Sequence, residues 1–344
     1  MKKTILFGLC ALGGVFGIAP GGPSAQAKGL ELGPIAGSGV IGRVGNTDLA
    51  GKVGVYRFAP TSQADPRALM DRFMNGSEMA IVHRSEQGVV FFASPKDEND
   101  SFEQNLATGD IRFRRNMSRY LGDFAPKLPS GEEAQQIALR FLKENDLLPR
   151  DPGQLNLAHT GGLRATSVLD GDKPGPIIDK LVTLSYSRVI DGLPVLGPGS
   201  KMVLDIGEGG EVVGLVRHWR EIEPMNRKGI GAEEIISPRE AAARSAAQIR
   251  EQFGEKSFIK IVSSGQAYFD NNGGILQPVY YYQTQITLPD QRRFDRPLEY
   301  VSVVPMLRSS PEPLELTAVD PKAREMIRSI QQNEAPPAEQ LPGD

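Results

Sequence analysis

The feature that most restricts the fold of this chain is the order of its capped helices and glycine-rich turns. Ser130-Gly131-Glu132-Glu133 and Ser237-Pro238-Arg239-Glu240 both carry the signature of a helix start. In each, a serine precedes a glutamate by three residues, so the side chains can satisfy the first free backbone N–H groups. Short apolar segments separated by Gly, Asn and Asp then follow, which is typical of antiparallel hairpins. This order predicts an α+β fold rather than alternating β-α-β units.

Apolar side chains recur at helical spacing after both caps. The first predicted helix ends near Asn145, and the second ends at Gly254. A shorter helix is predicted to open at Asp65-Pro66. Beyond Pro311 the chain is polar and proline-rich, which predicts a disordered tail after one short helix near Pro321–Gln331.

Strand-like segments follow each predicted helix. They span 80–82, 89–93, 111–113, 181–190, 202–206, 212–222, 259–262, 267–269, 279–286 and 300–305. We therefore expect tandem modules of one helix packed on a curled antiparallel β-sheet, behind a β-rich N-terminal region. The predicted divisions are 1–27, a signal peptide; 28–128, a β-rich domain with one short helix; 129–228 and 229–310, two α+β modules; and 311–344, a short helix and tail.

The first 27 residues have the layout of a secretory signal peptide. Lys2 and Lys3 precede an apolar run, and Ala25-Gln26-Ala27 fits an A-x-A cleavage site. We expect cleavage after Ala27, an extracytoplasmic location, either periplasmic or secreted, and no membrane span in the mature chain. The sequence leaves open which of these two locations applies.

Cysteine content and charge exclude several classes of protein. Cys10 is the only cysteine and lies in the leader, so the mature chain can form neither a disulfide nor a thiolate metal site. The full chain carries 39 Lys and Arg against 42 Asp and Glu. This balance provides no general attraction to nucleic acid or to an anionic membrane.

The stretch YSRVIDGLPVLGPGSK, residues 186–201, is the most distinctive local pattern. Asp191-Gly192 suits a tight turn, and Pro194 cannot donate to a ladder, which favours an edge or bulged strand. Gly197 and Gly199 then break that strand before the next one. We interpret the stretch as a bent hairpin with structural turn residues; a ligand-binding loop is the alternative.

Together with the helix before it, this hairpin resembles a known module. Residues 130–222, with Gly192-Leu193-Pro194-Val195 and the Gly207–Val213 hairpin, resemble PepSY domains and the propeptides of thermolysin-like and fungalysin metalloproteases. A weaker similarity spans 235–305. The resemblance implies tandem cystatin-like α+β modules without a protease domain. It also implies inhibition or chaperoning of a protease, or another extracytoplasmic interaction role.

The sequence offers little for catalysis. Residues 37–42 fit G-x-G-x-x-G but have no helix signal after them, and the widely spaced His83, His159 and His218 include no H-E-x-x-H. Asp270–Gly274 lacks the ligand spacing of a calcium loop, and no serine stands in a G-x-S-x-G elbow. We therefore predict no enzyme activity, no cofactor and no metal site.

Two groups of residues are candidates for binding. Trp219, the only tryptophan, stands near Arg217 and Arg220, and both residue types are favoured at interfaces. Packing of Trp219 in the core is the alternative. Arg112 and Arg114 are expected on one face of a strand, either as a basic patch for an acidic partner or as a solvated edge.

These observations predict a non-catalytic secreted or periplasmic protein that binds a protein partner, such as a protease or an envelope component. A role as a protease inhibitor or chaperone-like protein follows from the resemblance. A structural or assembly component of the cell surface is one alternative, and a carrier of a small apolar ligand is another. The sequence indicates neither the identity of the partner nor the oligomeric state.

Overall fold

The computed structural model describes residues 4–7, 52–61, 65–74, 78–85, 88–168, 174–225, 229–287, 297–312 and 314. Over these residues the protein is a strand-rich α+β structure with a large curled antiparallel sheet and few helices, which confirms the α+β class and the curled antiparallel sheet of the prediction. The chain divides into two compact units. Of the described residues, 4–7 and 56–224 belong to unit one, and 52–55 and 225–314 belong to unit two.

Most of the strands belong to unit one. Its elements are β1 (Thr4–Phe7), β2 (Tyr56–Phe58), α1 (Pro66–Met74), β3 (Ala80–Arg84), β4 (Val89–Ala93), β5 (Ser101–Asn105), β6 (Ile111–Arg114), α2 (Met117–Leu121), α3 (Gly131–Glu144), β7 (Leu155–Val168), β8 (Pro174–Ile190), β9 (Leu193–Leu196), β10 (Lys201–Ile206), β11 (Val212–His218) and β12 (Ile222–Pro224). The helices α1 and α3 lie where the sequence predicts them. The elements β1, β2, β5, α2 and β7 are not predicted. The β5 segment is polar and β7 contains Gly161-Gly162, whereas β2 and α2 are only three and five residues long.

The start of α3 is fixed by the predicted capping box. Ser130 Oγ accepts the Glu133 backbone N–H at 3.2 Å, and the Glu133 carboxylate accepts the Ser130 backbone N–H at 2.9 Å. The helix then buries Ala134, Ala138 and Leu142 on one face, as its apolar spacing requires. A pair of reciprocal hydrogen bonds and one apolar stripe thus account for both the position and the orientation of α3.

The strands of unit one form an antiparallel sheet in the order β3-β4-β5-β6-β11-β10-β8-β7. The short β1 pairs with β7, β9 pairs with the end of β8, and β2 pairs with β12. The pairing of β6 with β11, in which Arg114 lies opposite Gly214, joins segments about 100 residues apart. The predicted boundary between residues 128 and 129 therefore lies within unit one and does not separate two sheets.

Helices α1 and α3 share one hydrophobic core on one face of this sheet. Phe73 of α1 stacks on Phe113 of β6 with ring centroids 5.3 Å apart, and it lies 6.1 Å from the ring of Phe141 of α3. The same cluster contains Leu204 of β10 and Leu215 of β11. Close packing of these apolar side chains is the main stabilising contribution in unit one. Unit one thus places two helices, α1 and α3, over one sheet.

Unit two contains one long helix and three long strands. They are α4 (Pro238–Phe253), β13 (Phe258–Phe269), β14 (Ile275–Thr287) and β15 (Leu298–Pro305), and the sheet order is β13-β14-β15. The Ser237 hydroxyl caps α4, and Pro238 occupies its first turn, as the sequence predicts. Ile249 and Phe253 of α4 pack with Ile286 of β14 in a small apolar cluster.

Several predicted features lie outside the described residues. They are the leader apart from 4–7, the G-x-G-x-x-G stretch at 37–42, and the helix near 321–331 with its tail. Among the described helices, none has the length and the apolar character needed to cross a bilayer.

Candidate functional site

The turn in the stretch 186–201 has the backbone geometry of a two-residue hairpin. Asp191 has φ 52° and Gly192 has φ 76°, both in the left-handed region that such a turn requires. The flanking residue Ile190 pairs with Leu193, and Pro194 pairs with Val189 across the β8–β9 ladder. The Tyr56 hydroxyl donates to the Asp191 carboxylate at 2.7 Å. The backbone conformation and these contacts give Asp191 and Gly192 a structural role in the turn.

The second break in this stretch has a different arrangement from the first. Gly197 has φ 106°, and Ser200 has φ 55°, whereas Gly199 is buried and has no positive φ. The chain thus reverses into β10 through one glycine and one serine in the left-handed region. The positive φ of Ser200 could not be predicted from the sequence, because serine is not a preferred residue in the left-handed region.

Trp219 lies in the core of unit one and is 2% exposed. The Arg188 guanidinium lies over its ring, with 4.6 Å between Cζ and the ring centroid. Arg217 lies on the same side of the sheet and donates to Leu147 O at 3.2 Å and to Trp219 O at 3.0 Å. Burial lowers the pKa of Arg217, while the charges of Glu221 and Asp110 act in the opposite direction.

The other predicted arginines lie in two different settings. The Arg220 guanidinium lies 3.6 Å from the centroid of the Phe58 ring, a cation–π contact. Arg112 and Arg114 are exposed on β6, on the sheet face opposite the helices, because their neighbours Ile111 and Phe113 point into the core. The structure thus brings Arg217 and Trp219 together but keeps the exposed pair Arg112 and Arg114 apart from them. Arg188, which the sequence did not single out, is central to the buried group.

The face that carries Arg112 and Arg114 is polar near the middle of the sheet. Thr183 Oγ1 donates to Asp205 Oδ1 at 2.7 Å, and Gly214 leaves room for that carboxylate, because a Cβ there would lie 2.9 Å from Asp205 Oδ2. Burial raises the pKa of Asp205, and the Thr183 hydrogen bond and the charge of Arg114 oppose this rise. Burial therefore destabilises the charged form of Asp205 more than these two contacts stabilise it.

All three histidines point to this same face but lie far from one another. His83 is on β3, His159 is on β7 and His218 is on β11. β3 and β7 are the two ends of the eight-strand order, so six strands lie between His83 and His159 in that order. His218 Nδ1 lies 3.0 Å from Asp110 Oδ2, an ion pair when the imidazole is protonated. No group of three metal-binding side chains occurs among the described residues.

The terminal strand β3 is open to solvent along its whole length. All five residues of β3 are exposed, and β4 is its only partner within the described part of the chain. Two aliphatic side chains stand on it, Ile81 with 54% of its surface exposed and Val82 with 63%. The register shifts between Ile81 and His83, which marks a β-bulge at Val82. A strand of this kind presents free backbone N–H and C=O groups next to apolar side chains.

Comparison with known proteins identifies no family for this chain. No family model matches it, and no curated protein matches it. A crystal structure of an uncharacterized protein from Eubacterium rectale is similar, with 12% sequence identity and a TM-score of 0.44, over 76% of this chain and 86% of that chain.

Proposed function

We propose that the protein is a non-catalytic binding protein that acts outside the cytoplasm and holds an extended segment of a protein partner along β3. The observation that carries this proposal is the exposure of the whole of β3, including Ile81 and Val82, at one end of the strand order of unit one. Soluble proteins usually protect such an edge with charge, proline or a covering segment. Arg84 and the bulge at Val82 give β3 part of this protection, but Ile81 and Val82 leave apolar surface exposed on it.

The physical basis of binding is addition of a strand to the sheet. An extended partner segment forms main-chain hydrogen bonds with the free edge, each of which contributes about 0.5–1.5 kcal/mol net. Ile81 and Val82 lose their contact with water at the same time, and full burial of such a side chain contributes about 1.5–3 kcal/mol. The bulge at Val82 interrupts the regular ladder and so limits the registers in which a partner strand can pair.

The compartment and the class of partner belong to the same proposal. Residues 1–27 have the layout of a signal peptide, which supports an extracytoplasmic location. We propose that α3 with β7–β11, and α4 with β13–β15, correspond to two PepSY-like or propeptide-like modules, since each combines a capped helix with antiparallel hairpins. A protease or an envelope protein is then the partner. If the partner is a protease, pairing of β3 with an extended segment beside the protease cleft would occlude that cleft.

Site-specific photo-crosslinking tests this proposal. A photoreactive amino acid at Val82 in the full chain should capture a partner in the native host, and peptide mapping should place the crosslink in an extended segment. The matched control is Leu139, an exposed aliphatic residue on α3 whose backbone is already paired within the helix. We expect no crosslink of that partner from position 139.

A pair of substitutions tests the role of the edge itself. Val82→Lys should abolish binding of the crosslinked partner, because a charge would be desolvated in the added strand. Leu139→Lys should leave binding unchanged, and both variants should melt within a few degrees of the parent protein because both positions are exposed. Retained binding in Val82→Lys would refute the proposal.

A further inference from the structure

A depression with a volume of about 550 Å³ opens at the beginning of α3. Its walls are the segment that enters the helix, the first turns of α3 and the turn between β10 and β11. The lining includes Lys127, Leu128, Pro129, Ile137, Arg140 and Gly209. It shares no residue with β3, so it is a second candidate site on unit one.

The two loops around this depression are fixed to each other. Gly209 N donates to Lys127 O at 3.0 Å, and Lys127 N donates to the carboxylate of Glu208. Glu208 N donates to the hydroxyl of Tyr120 at 3.0 Å, and Tyr120 is fully buried. The walls of the depression are therefore formed before any ligand arrives, which lowers the ordering cost of binding.

Two cations face this depression without an intramolecular partner. The Lys127 ammonium and the Arg140 guanidinium form no hydrogen bond or ion pair with any residue that the structure describes, and Gln136 is equally unengaged. An arginine fork, an ammonium and an amide together suit a carboxylate, which can accept several hydrogen bonds at once. The aliphatic side chains of Leu128 and Ile137 provide an apolar surface beside these donors.

The one acidic residue in the lining is already engaged. The Glu133 carboxylate accepts the Ser130 backbone N–H at 2.9 Å as part of the capping box. The hydrogen bonds from Ser130 lower the pKa of Glu133. Its charge lies at the N-terminus of α3, where the helix dipole offsets it. Glu133 therefore leaves Lys127 and Arg140 available to an incoming anion.

We propose that this depression binds a carboxylate carried on a short apolar peptide. The carboxylate pairs with Arg140 and Lys127, and an adjacent aliphatic side chain packs on Leu128 and Ile137. Gly209 lines the depression without a side chain, and a Cβ built on it would meet no atom within 4 Å, so the space beside it is open. The carboxylate could come from a peptide C-terminus or from a glutamate side chain, and both sources share this chemistry.

Calorimetric titration of the full chain with four peptides tests the proposal. Acetyl-Leu-Leu with a free C-terminus is compared with its amide, and acetyl-Leu-Glu-Leu-amide is compared with acetyl-Leu-Gln-Leu-amide. We expect at least one carboxylate peptide to bind about tenfold or more tighter than its neutral counterpart. The pair that shows this difference identifies the source of the carboxylate. Binding should weaken as salt increases, because the two cations are solvent-exposed.

Three variants assign binding to this depression. Arg140→Gln and Lys127→Gln should each weaken binding of the carboxylate peptide by about five- to tenfold. The matched control is Lys143→Gln, an exposed cation on the same helix outside the lining, which should change the affinity by less than about twofold. Gly209→Asn should also weaken binding, because asparagine tolerates a positive φ while its side chain occupies the depression.

Two results would overturn the inference. One is equal affinity for the carboxylate and neutral peptides, including no measurable binding of any of them. The other is an equal loss of affinity in Lys143→Gln and Arg140→Gln, which would indicate attraction to the general charge of α3. Neither result affects the proposal for β3, because the two sites share no residue.

Discussion

Arg188 is fully buried in unit one, and its guanidinium lies 4.6 Å from the ring centroid of the protein's only tryptophan, Trp219. Its Nε and Nη2 donate to Gln154 Oε1 at 2.8 and 2.6 Å, and its Nη1 donates to Arg220 O at 2.8 Å. A charged group without contact to water needs such partners, because an unpaired buried charge is strongly destabilising. The stretch 186–201 is therefore connected to the core through Arg188 as well as through its turns.

Replacement of this arginine should reduce stability strongly. Arg188→Met keeps the aliphatic part of the side chain but leaves Gln154 Oε1 and Arg220 O without their donor. We expect a loss of about 2–4 kcal/mol in the free energy of unfolding, measured by denaturant titration. The matched control is Arg164→Met, because Arg164 pairs with Asp179 on the surface with 72% and 62% of their side chains exposed. That change should cost less than about 1 kcal/mol, and an equal cost for both variants would contradict this account of Arg188.

The sequence predicts the local elements of this fold well and their long-range arrangement poorly. Capping boxes and hairpin turns act within a few residues, so α3, α4 and the turn at Asp191-Gly192 can be predicted from the residues themselves. The β6–β11 pairing joins segments about 100 residues apart, and no local pattern specifies it. This pairing places α1 and α3 over one core instead of two.

The candidate sites illustrate the same limit at the level of side chains. Alternation along β6 correctly places Arg112 and Arg114 on one exposed face. The same alternation places Arg188 inward, on the face of Leu184 and Tyr186. A prediction of the core from apolar residues alone nevertheless leaves Arg188 out, because arginine is charged. The edge position of β3 depends on the order of the strands, so the exposure of Ile81 and Val82 could not be predicted from the sequence.

Gly192 should be required for its backbone conformation rather than for its small size. Its φ is 76°, and a Cβ built at this position meets no atom within 4 Å, so the space for a side chain is open. Gly192→Val should cost about 1–3 kcal/mol of unfolding free energy, because a β-branched residue is strained at positive φ. Gly192→Asn should cost less than about 1 kcal/mol, since asparagine tolerates this region. Thermal or chemical denaturation of both variants measures the difference, and equal costs would show that backbone strain is not the cause.

Trp219 provides a direct optical test of the core of unit one. Because it is the only tryptophan and is 2% exposed, all tryptophan fluorescence should come from a site without access to solvent. We expect weak quenching by acrylamide in the native protein and strong quenching in denaturant. Arg188→Met should increase quenching below the unfolding transition, because the guanidinium that covers the ring is lost. Strong native-state quenching would instead show that Trp219 lies on an accessible surface.

The carboxyl group of Asp205 should make the stability of the protein depend on pH. Burial raises the pKa of Asp205 above its ordinary value of 3.8, despite the Thr183 hydrogen bond and the charge of Arg114. The folded state therefore holds this proton more tightly than the unfolded state does. The favourable contribution is complete below pH 3.8 and is lost as the pH rises through the raised pKa of the folded state.

The variant Asp205→Asn isolates this contribution, because it removes the titrating group and retains an oxygen that can accept the Thr183 hydroxyl. The variant should be more stable than the parent protein at pH 7, and this advantage should shrink as the pH falls toward 3.8. Urea titrations of both proteins between pH 4 and pH 7 measure the difference, in which the contributions of all other carboxyl groups cancel. A parent protein that is more stable than Asp205→Asn at pH 7, with the gap closing on acidification, would show that Arg114 and Thr183 lower the pKa of Asp205 more than burial raises it.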